Sequence, residues 1–230
     1  MVSSQYLRTA EEATGSGNGV KVGVLGSGDV AKVLARGFKQ FGYDVTIGSR
    51  EPAKLAAFGA SEGIGVATFE GAAAAGQLLV LAVKGSVAES LVESLQSQLA
   101  GKVVIDVNNP IAQLPPVNGV LQFFTGPNDS LMERLQAKVP EASFVKAFSC
   151  VGNGQMIQPR LAAGRPTMFI CGNSAEAKGT VSNVLNQFGW DAADMGQVES
   201  ARAIEPLCQL WCVLGFRHNS WMHAFKLLTP

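Results

Sequence analysis

Histidine and cysteine are scarce in this chain, which has two of the first and four of the second. With no CxxC pair and so few histidines, a metal site is not expected. Cys150, Cys171, Cys208 and Cys212 read as buried free thiols, because cysteine packs as a small hydrophobe. A reducing, cytoplasmic setting fits that usage. Cys208 and Cys212 lie four apart and would share a helix face, and Cys150, at a strand end, has the most functional promise. Charge of either sign is also sparse, at 16% of residues, and the 18 basic and 18 acidic side chains cancel. Nucleic acid and anionic membrane surfaces demand a concentrated positive field, so neither is expected as a partner. Long apolar runs are missing too. Leu78–Val83 is the longest in the first half, far short of the ~20 residues that span a bilayer. Residues 204–228 are apolar but broken by Arg217, His218, Asn219 and Lys226, which predicts a packed amphipathic helix. Residues 1–19 lack the apolar segment of a secretory signal and carry Glu11 and Glu12. They read as a flexible leader with a short helical piece at Thr9–Glu12.

What the chain does have is apolar material, 47% of 230 residues, enough for one large domain with a modest extension. Strand and helix patterns alternate. Strands are predicted at 20–25, 44–47, 64–68, 77–83, 102–107 and 143–148. Helices are predicted at 29–41, 52–58, 69–75, 86–99 and 131–138. Residues 111–127, with Pro115, Pro116, Gly119 and Pro127, read as a loop. A further strand, helix and strand follow at 166–171, 175–188 and 190–194, and then a long helix from about Pro206 that carries His218 and His223. The pattern predicts an α/β fold, a Rossmann-type doubly wound parallel sheet with a C-terminal strand–helix extension over about 165–230. One continuous sheet, lengthened at its C-terminal edge, is expected across residues 20–230.

The sharpest motif follows the first strand. Gly26-Ser27-Gly28-Asp29-Val30-Ala31 matches the GxGxxG/A dinucleotide fingerprint in its proper strand–turn–helix context. Gly26 permits the tight turn, Gly28 lets backbone approach a pyrophosphate, and Ala31 allows close packing of helix on sheet. The helix start supplies free N–H groups and partial positive charge. The second strand ends Gly48-Ser49-Arg50, where an NAD enzyme usually places an acid for the ribose 2′-hydroxyl. A hydroxyl and a guanidinium suit a 2′-phosphate instead, and Lys54 would add charge. NADP(H) is therefore the expected cofactor. Structural readings stand beside these: Ser49 as a helix cap, Arg50 as a solvated surface residue.

These residues resemble the deazaflavin (coenzyme F-420)-dependent NADP reductases and related dinucleotide-binding proteins, a broader group that includes the reductase domain of the six-transmembrane metalloreductases. The resemblance runs over residues 20–230. It rests also on Leu81–Lys84, Ile105–Pro110, Val145–Phe148, Ala201–Leu207 and Trp221–Leu228. It implies a nicotinamide near Ala82, Val83 and Asn109, and an acceptor toward Ser149–Asn153. Lys84 starts a loop and reads either as solvated or as a contact to the cofactor phosphates. The sequence departs from the deazaflavin enzymes at Ser149–Gly152 and Lys84, where those enzymes carry a His-Thr-Ile-Pro-like stretch and an aromatic residue.

Three functions remain open. The first is hydride transfer between NADPH and a flavin or deazaflavin acceptor, which needs aligned rings and no protein acid. The second is a non-catalytic NADP(H)-binding redox sensor or partner subunit. The third is reduction of a small carbonyl or imine, which needs a positioned proton donor, with Lys84, Lys146, His218 and His223 as candidates. Lys146 reads equally as a paired lysine at a strand end, and Glu205 as a charge at a helix N-terminus. Partners are expected to be a small-molecule substrate and, as an open assembly, a second copy in a homodimer.

Overall fold

The all-apolar stretch at Leu78 becomes the middle of the sheet. In the computed structural model, which describes Gly17 and residues 19–229, β4 (Leu78–Leu81) is buried along its whole length. It lies between β1 (Lys21–Leu25) and β5 (Val103–Asp106), parallel to both. Such a strand must be apolar on both faces, because helices cover each side. Val24, Leu78, Val80 and Ile105 pack into one core, with α1 (Asp29–Gln40) and α7 (Ala175–Gln187). Leu79, Leu81 and Val104 pack into the other, with α3 (Phe69–Ala75), α4 (Gly85–Ser94) and α6 (Leu131–Lys138).

Outward from β1 lie β2 (Asp44–Gly48) and β3 (Gly65–Ala67). Outward from β5 lies β6 (Ser143–Lys146). The order β3-β2-β1-β4-β5-β6 is the doubly wound Rossmann arrangement, and its crossover point falls between β1 and β4. The expected helix at 52–58 is split into a 3₁₀ turn, Pro52–Leu55, and α2 (Ala56–Glu62). That at 86–99 is divided at Leu95 into α4 and α5 (Gln96–Leu99). The leader, with its helical piece at Thr9–Glu12, lies outside the described residues apart from Gly17 and Gly19.

The C-terminal part differs from expectation in two ways. The sheet is not continuous: β7 (Thr167–Ile170) and β8 (Asp191–Asp194) form their own parallel pair. A single antiparallel bridge, Lys146 to Cys171, links β7's end to β6. After β6 the chain leaves the sheet through Phe148 (φ 59°) and a long connection, and the next strand runs back antiparallel to β6. It meets β6 only where Gly172 allows the approach; a Cβ there would stand 2.5 Å from the Phe144 carbonyl oxygen.

The last helix is also shorter than its apolar pattern. After the short α8 (Ala201–Ile204), α9 runs Pro206–His218 and ends at Asn219 in the left-handed conformation (φ 50°). The rest folds back as an irregular tail. Gly215 makes this reversal possible, because the Trp221 ring lies where a Cβ would be, at 2.1 Å. His223 is therefore on the tail and not on a helix. It stacks on Trp211 (centroids 4.8 Å apart), and the two residues exchange hydrogen bonds through Trp211 Nε1 and His223 Nε2.

Candidate active site

The glycine turn sits at the carboxyl end of β1, where an open α/β sheet leaves a crevice. Gly26 is packed tightly: its Cβ would fall 2.1 Å from the Ala82 carbonyl oxygen and 3.0 Å from Ala31 Cβ. Gly28 is different. It is exposed, caps α1 with extended backbone, and has nothing within 4 Å of its Cβ position. Ser27 and Asp29 beside it are exposed as well. The turn thus presents open backbone and the unsatisfied first N–H groups of α1, the arrangement that holds a phosphate.

At the end of β2, Ser49 is buried and its Oγ accepts the Glu51 N–H at 3.1 Å. Both readings of Ser49 survive, since a hydroxyl that accepts there still has its own proton to donate. Arg50 is exposed and has no carboxylate partner among the described residues. Lys54 is exposed too, but it pairs with Glu51 at 2.9 Å. A solvated pair of this kind contributes little, and Glu51 partly offsets the charge that Lys54 brings to this end of β2.

Five of the expected residues line one cleft of about 380 Å³: Val30, Ala82, Val83, Lys84 and Asn109. The cleft opens beside α1 and runs between the loops after β4 and β5. Lys84 caps α4 and stays exposed, with no carboxylate partner among the described residues. Asn109 donates from Nδ2 to the Ser149 carbonyl at 2.7 Å, while its Oδ1 is buried without a partner. Ser149 Oγ is buried and unpaired in the same neighbourhood. Buried polar atoms are nearly always satisfied, so the unpaired Asn109 Oδ1 and Ser149 Oγ beside the cleft are unusual, although neither atom is exposed to it.

Sequence reasoning missed Asn108 and the loop Ile111–Gln113, which also line the cleft. Asn108 is the structural pivot. Its Oδ1 accepts the Val83 N–H at 3.1 Å, and its own N–H and Nδ2 both donate to Asp106 Oδ1 at 3.0 Å. The paired asparagines at the strand end were the signal that could have found it.

The residues of the family model for coenzyme F420-dependent NADP oxidoreductases match residues 21–110, which hold the glycine turn and most of the cleft. A solved candidate F420-dependent NADP-reductase from Arthrobacter sp. FB24 superimposes with a TM-score of 0.85 at 31% identity, over 92% of this chain and 100% of that one. The chain belongs to the coenzyme F420-dependent NADP oxidoreductase family. Within the broader group, the metalloreductase STEAP3 of Rattus norvegicus is 36% identical over 188 residues, 81% of this chain but 36% of that protein. The chain thus spans about a third of that relative's length. The F420-dependent NADP reductase of Methanocaldococcus jannaschii is 28% identical over 153 residues, 65% of this chain and 66% of that one. No described helix is long and apolar enough to cross a membrane.

With the family in hand, the proton-donor candidates can be sorted by geometry. Lys146 is fully buried and is held by Asp106 Oδ2 at 2.6 Å, Glu205 Oε1 at 2.8 Å and the Asn108 carbonyl at 2.9 Å. Burial alone would lower its pKa, but the two carboxylates outweigh that and hold it above the ordinary lysine value. Glu205 does not serve its own helix. Its two oxygens accept the N–H groups of Leu131 and Met132, at the start of α6. His223 spends Nε2 on Trp211, and His218 ends α9 in solvent. Cys150 is buried outside the cleft lining, and burial pushes its thiol up to about 12, far from a reactive thiolate.

Proposed function

We propose that the protein binds NADP(H) across the glycine turn and the cleft, and passes hydride between it and a flavin-like or deazaflavin ring. The observation that carries the cofactor half is the pairing of an open Gly28 with Ser49 and Arg50 at the end of β2, where an acid would stand for NAD. Gly28 and the start of α1, with Ser27, Asp29 and Val30 around them, would hold the pyrophosphate. Ser49 and Arg50 would hold the 2′-phosphate. Ala82, Val83 and Asn109 would face the nicotinamide, with Lys84 at the rim.

NADPH, when bound, supplies the hydride. The chain's part is to orient two rings and exclude water between them, which asks for packing and not for an acid. That division of labour agrees with the site: Lys146 and His223 lie outside the cleft lining, which offers Lys84 as its one ionisable side chain among the described residues. The deciding experiment follows NADPH absorbance with flavin, deazaflavin or a ferric chelate as acceptor. NADPH binding without turnover on any of them would turn the reading toward a sensor or partner subunit. We also propose a homodimer. Leu210 and Leu214 stand 59% and 45% exposed one turn apart on one face of α9, and sedimentation velocity would test it.

A further inference from the structure

The ammonium of Lys146 is 0% exposed and outside the cleft lining, ion-paired to Asp106 and Glu205 and hydrogen-bonded to the Asn108 carbonyl. It therefore offers no proton to a group in the cleft. What it does have is a place in a chain of contacts that ends at the cleft. Asp106, held at one oxygen by Lys146, uses the other to bind both the N–H and the Nδ2 of Asn108. Lys146 also binds the Asn108 carbonyl, so that residue is clamped at three atoms. Asn108 in turn fixes the Val83 N–H, across the cleft floor from β5 to β4. At the far end, Glu205 joins Lys146 to the α8–α9 junction and the start of α6.

We propose that Lys146 is a positioning residue that sets the Val83 and Asn108–Asn109 loops at the nicotinamide end of the cleft, and that Glu205 makes this setting depend on the C-terminal extension. The proposal rests on the NADP(H) reading above. Apolar residues at all three positions, Asp106, Lys146 and Glu205, would fill the same space without burying three charges, and replacing a whole buried ion set in that way is often no less stable. The arrangement earns its place if the loops must be held to a fraction of an ångström, since ~1 Å of displacement at a reacting centre costs about a hundredfold in rate.

The test is a differential titration of the full chain. Calorimetry would compare NADPH with adenosine 2′,5′-bisphosphate, which carries the adenine end alone and should contact β1, β2 and Arg50 but neither loop. Lys146→Met should weaken NADPH by about tenfold or more and leave the bisphosphate at wild-type affinity. Should that variant not fold, Glu205→Gln decides. It removes the charge that grips Lys146 and keeps an acceptor for one of the two α6 N–H groups, and it should show the same pattern at smaller size. A folded variant that loses both ligands equally, or neither, overturns the positioning role. A wild-type protein that binds neither ligand overturns the NADP(H) reading itself, and this proposal with it.

Discussion

Gly26 approaches Ala82 so closely that a Cβ on it would stand 2.1 Å from the Ala82 carbonyl oxygen, while Gly28, two residues on, faces open space. The two glycines of one motif therefore serve different ends. Gly26 joins the turn to the end of β4, and Gly28 keeps a surface clear.

The two should separate by experiment. Gly26→Ala must push the β4 loop aside, at a cost typical of overpacking, about 1–3 kcal/mol, or a Tm drop of roughly 2–4 °C for each of those kcal/mol in a chain of this size. Gly28→Val should keep the wild-type Tm and lose NADP(H) binding, because its side chain would occupy the place of the pyrophosphate. Differential scanning calorimetry with and without cofactor checks both. A Gly28→Val protein that binds normally would leave the turn with a structural role only.

Arg50 is exposed and free of any carboxylate among the described residues. Arg50→Ala should therefore cost little stability. It should weaken NADPH by the worth of one charge-assisted contact, roughly 1.5–3 kcal/mol, or one to two decades of Kd, and leave NADH almost unchanged. Lys54→Ala should do much less, since Glu51 already offsets part of its charge. Titration of both cofactors against both variants settles this, and equal wild-type affinities for NADPH and NADH would refute the assignment.

The sheet was legible because its signals are local. Leu78–Leu81 must be apolar on both faces, and the glycine turn follows β1 within the same short stretch of sequence. Of the cleft residues, Val30 followed from the glycine motif and Lys84 from its place at a loop start, while Ala82, Val83 and Asn109 came from what the family resemblance implies. The C-terminal reversal was not legible. An apolar pattern through Leu228 suits a helix, and only the docking of Trp221 onto Gly215 converts it to a returning tail. Nor does anything in the sequence join Asp106, Lys146 and Glu205, which come from two strands and the α8–α9 junction and meet only in the packed structure. Asn108 escaped for the same reason: its value lies in a bond to Val83, on another strand's loop.

The thiols should differ in reactivity. Burial pushes Cys150 and Cys171 up to about 12, and Cys208 is raised by its hydrogen bond with Cys212 and by burial. That same bond lowers Cys212, which is also the least buried of the four. Ellman's reagent on the native protein at pH 8 should label one thiol quickly, and Cys212→Ser should abolish that phase. In guanidinium all four should react. Fast labelling that survives Cys212→Ser would contradict the packing of the other three.

Acid should weaken the α6–α8 contact. Arg202 binds Glu133 through two nitrogens, and this bond holds the Glu133 carboxyl below its ordinary range despite partial burial. A carboxylate depressed in the folded state contributes stability above its unfolded pKa, near 4.3, and loses it as pH falls through the lower folded value. Glu133→Gln should lower Tm at pH 7, and the gap to wild type should close as the pH falls below about 4. A gap that persists at low pH would place the effect in packing and not in charge.

The chemistry itself separates the two catalytic readings. If hydride passes to a flavin-like ring, alignment carries the rate, and Lys84→Ala or His223→Gln should reduce kcat at saturating NADPH by less than about a hundredfold. A positioned acid, by contrast, typically contributes ~10²–10⁴-fold. Val83 lines the cleft and its N–H is anchored by Asn108, so a larger side chain there must displace whatever lies against it. Val83→Phe should cost about 10² or more, the scale of a 1 Å misplacement. Stopped-flow reduction of the acceptor would measure these rates free of product release. If Lys84→Ala lost around four decades with NADPH affinity intact, the reaction would depend on a proton from its ammonium. The acceptor would then be a carbonyl or imine, whose oxygen or nitrogen must be protonated as hydride arrives at carbon.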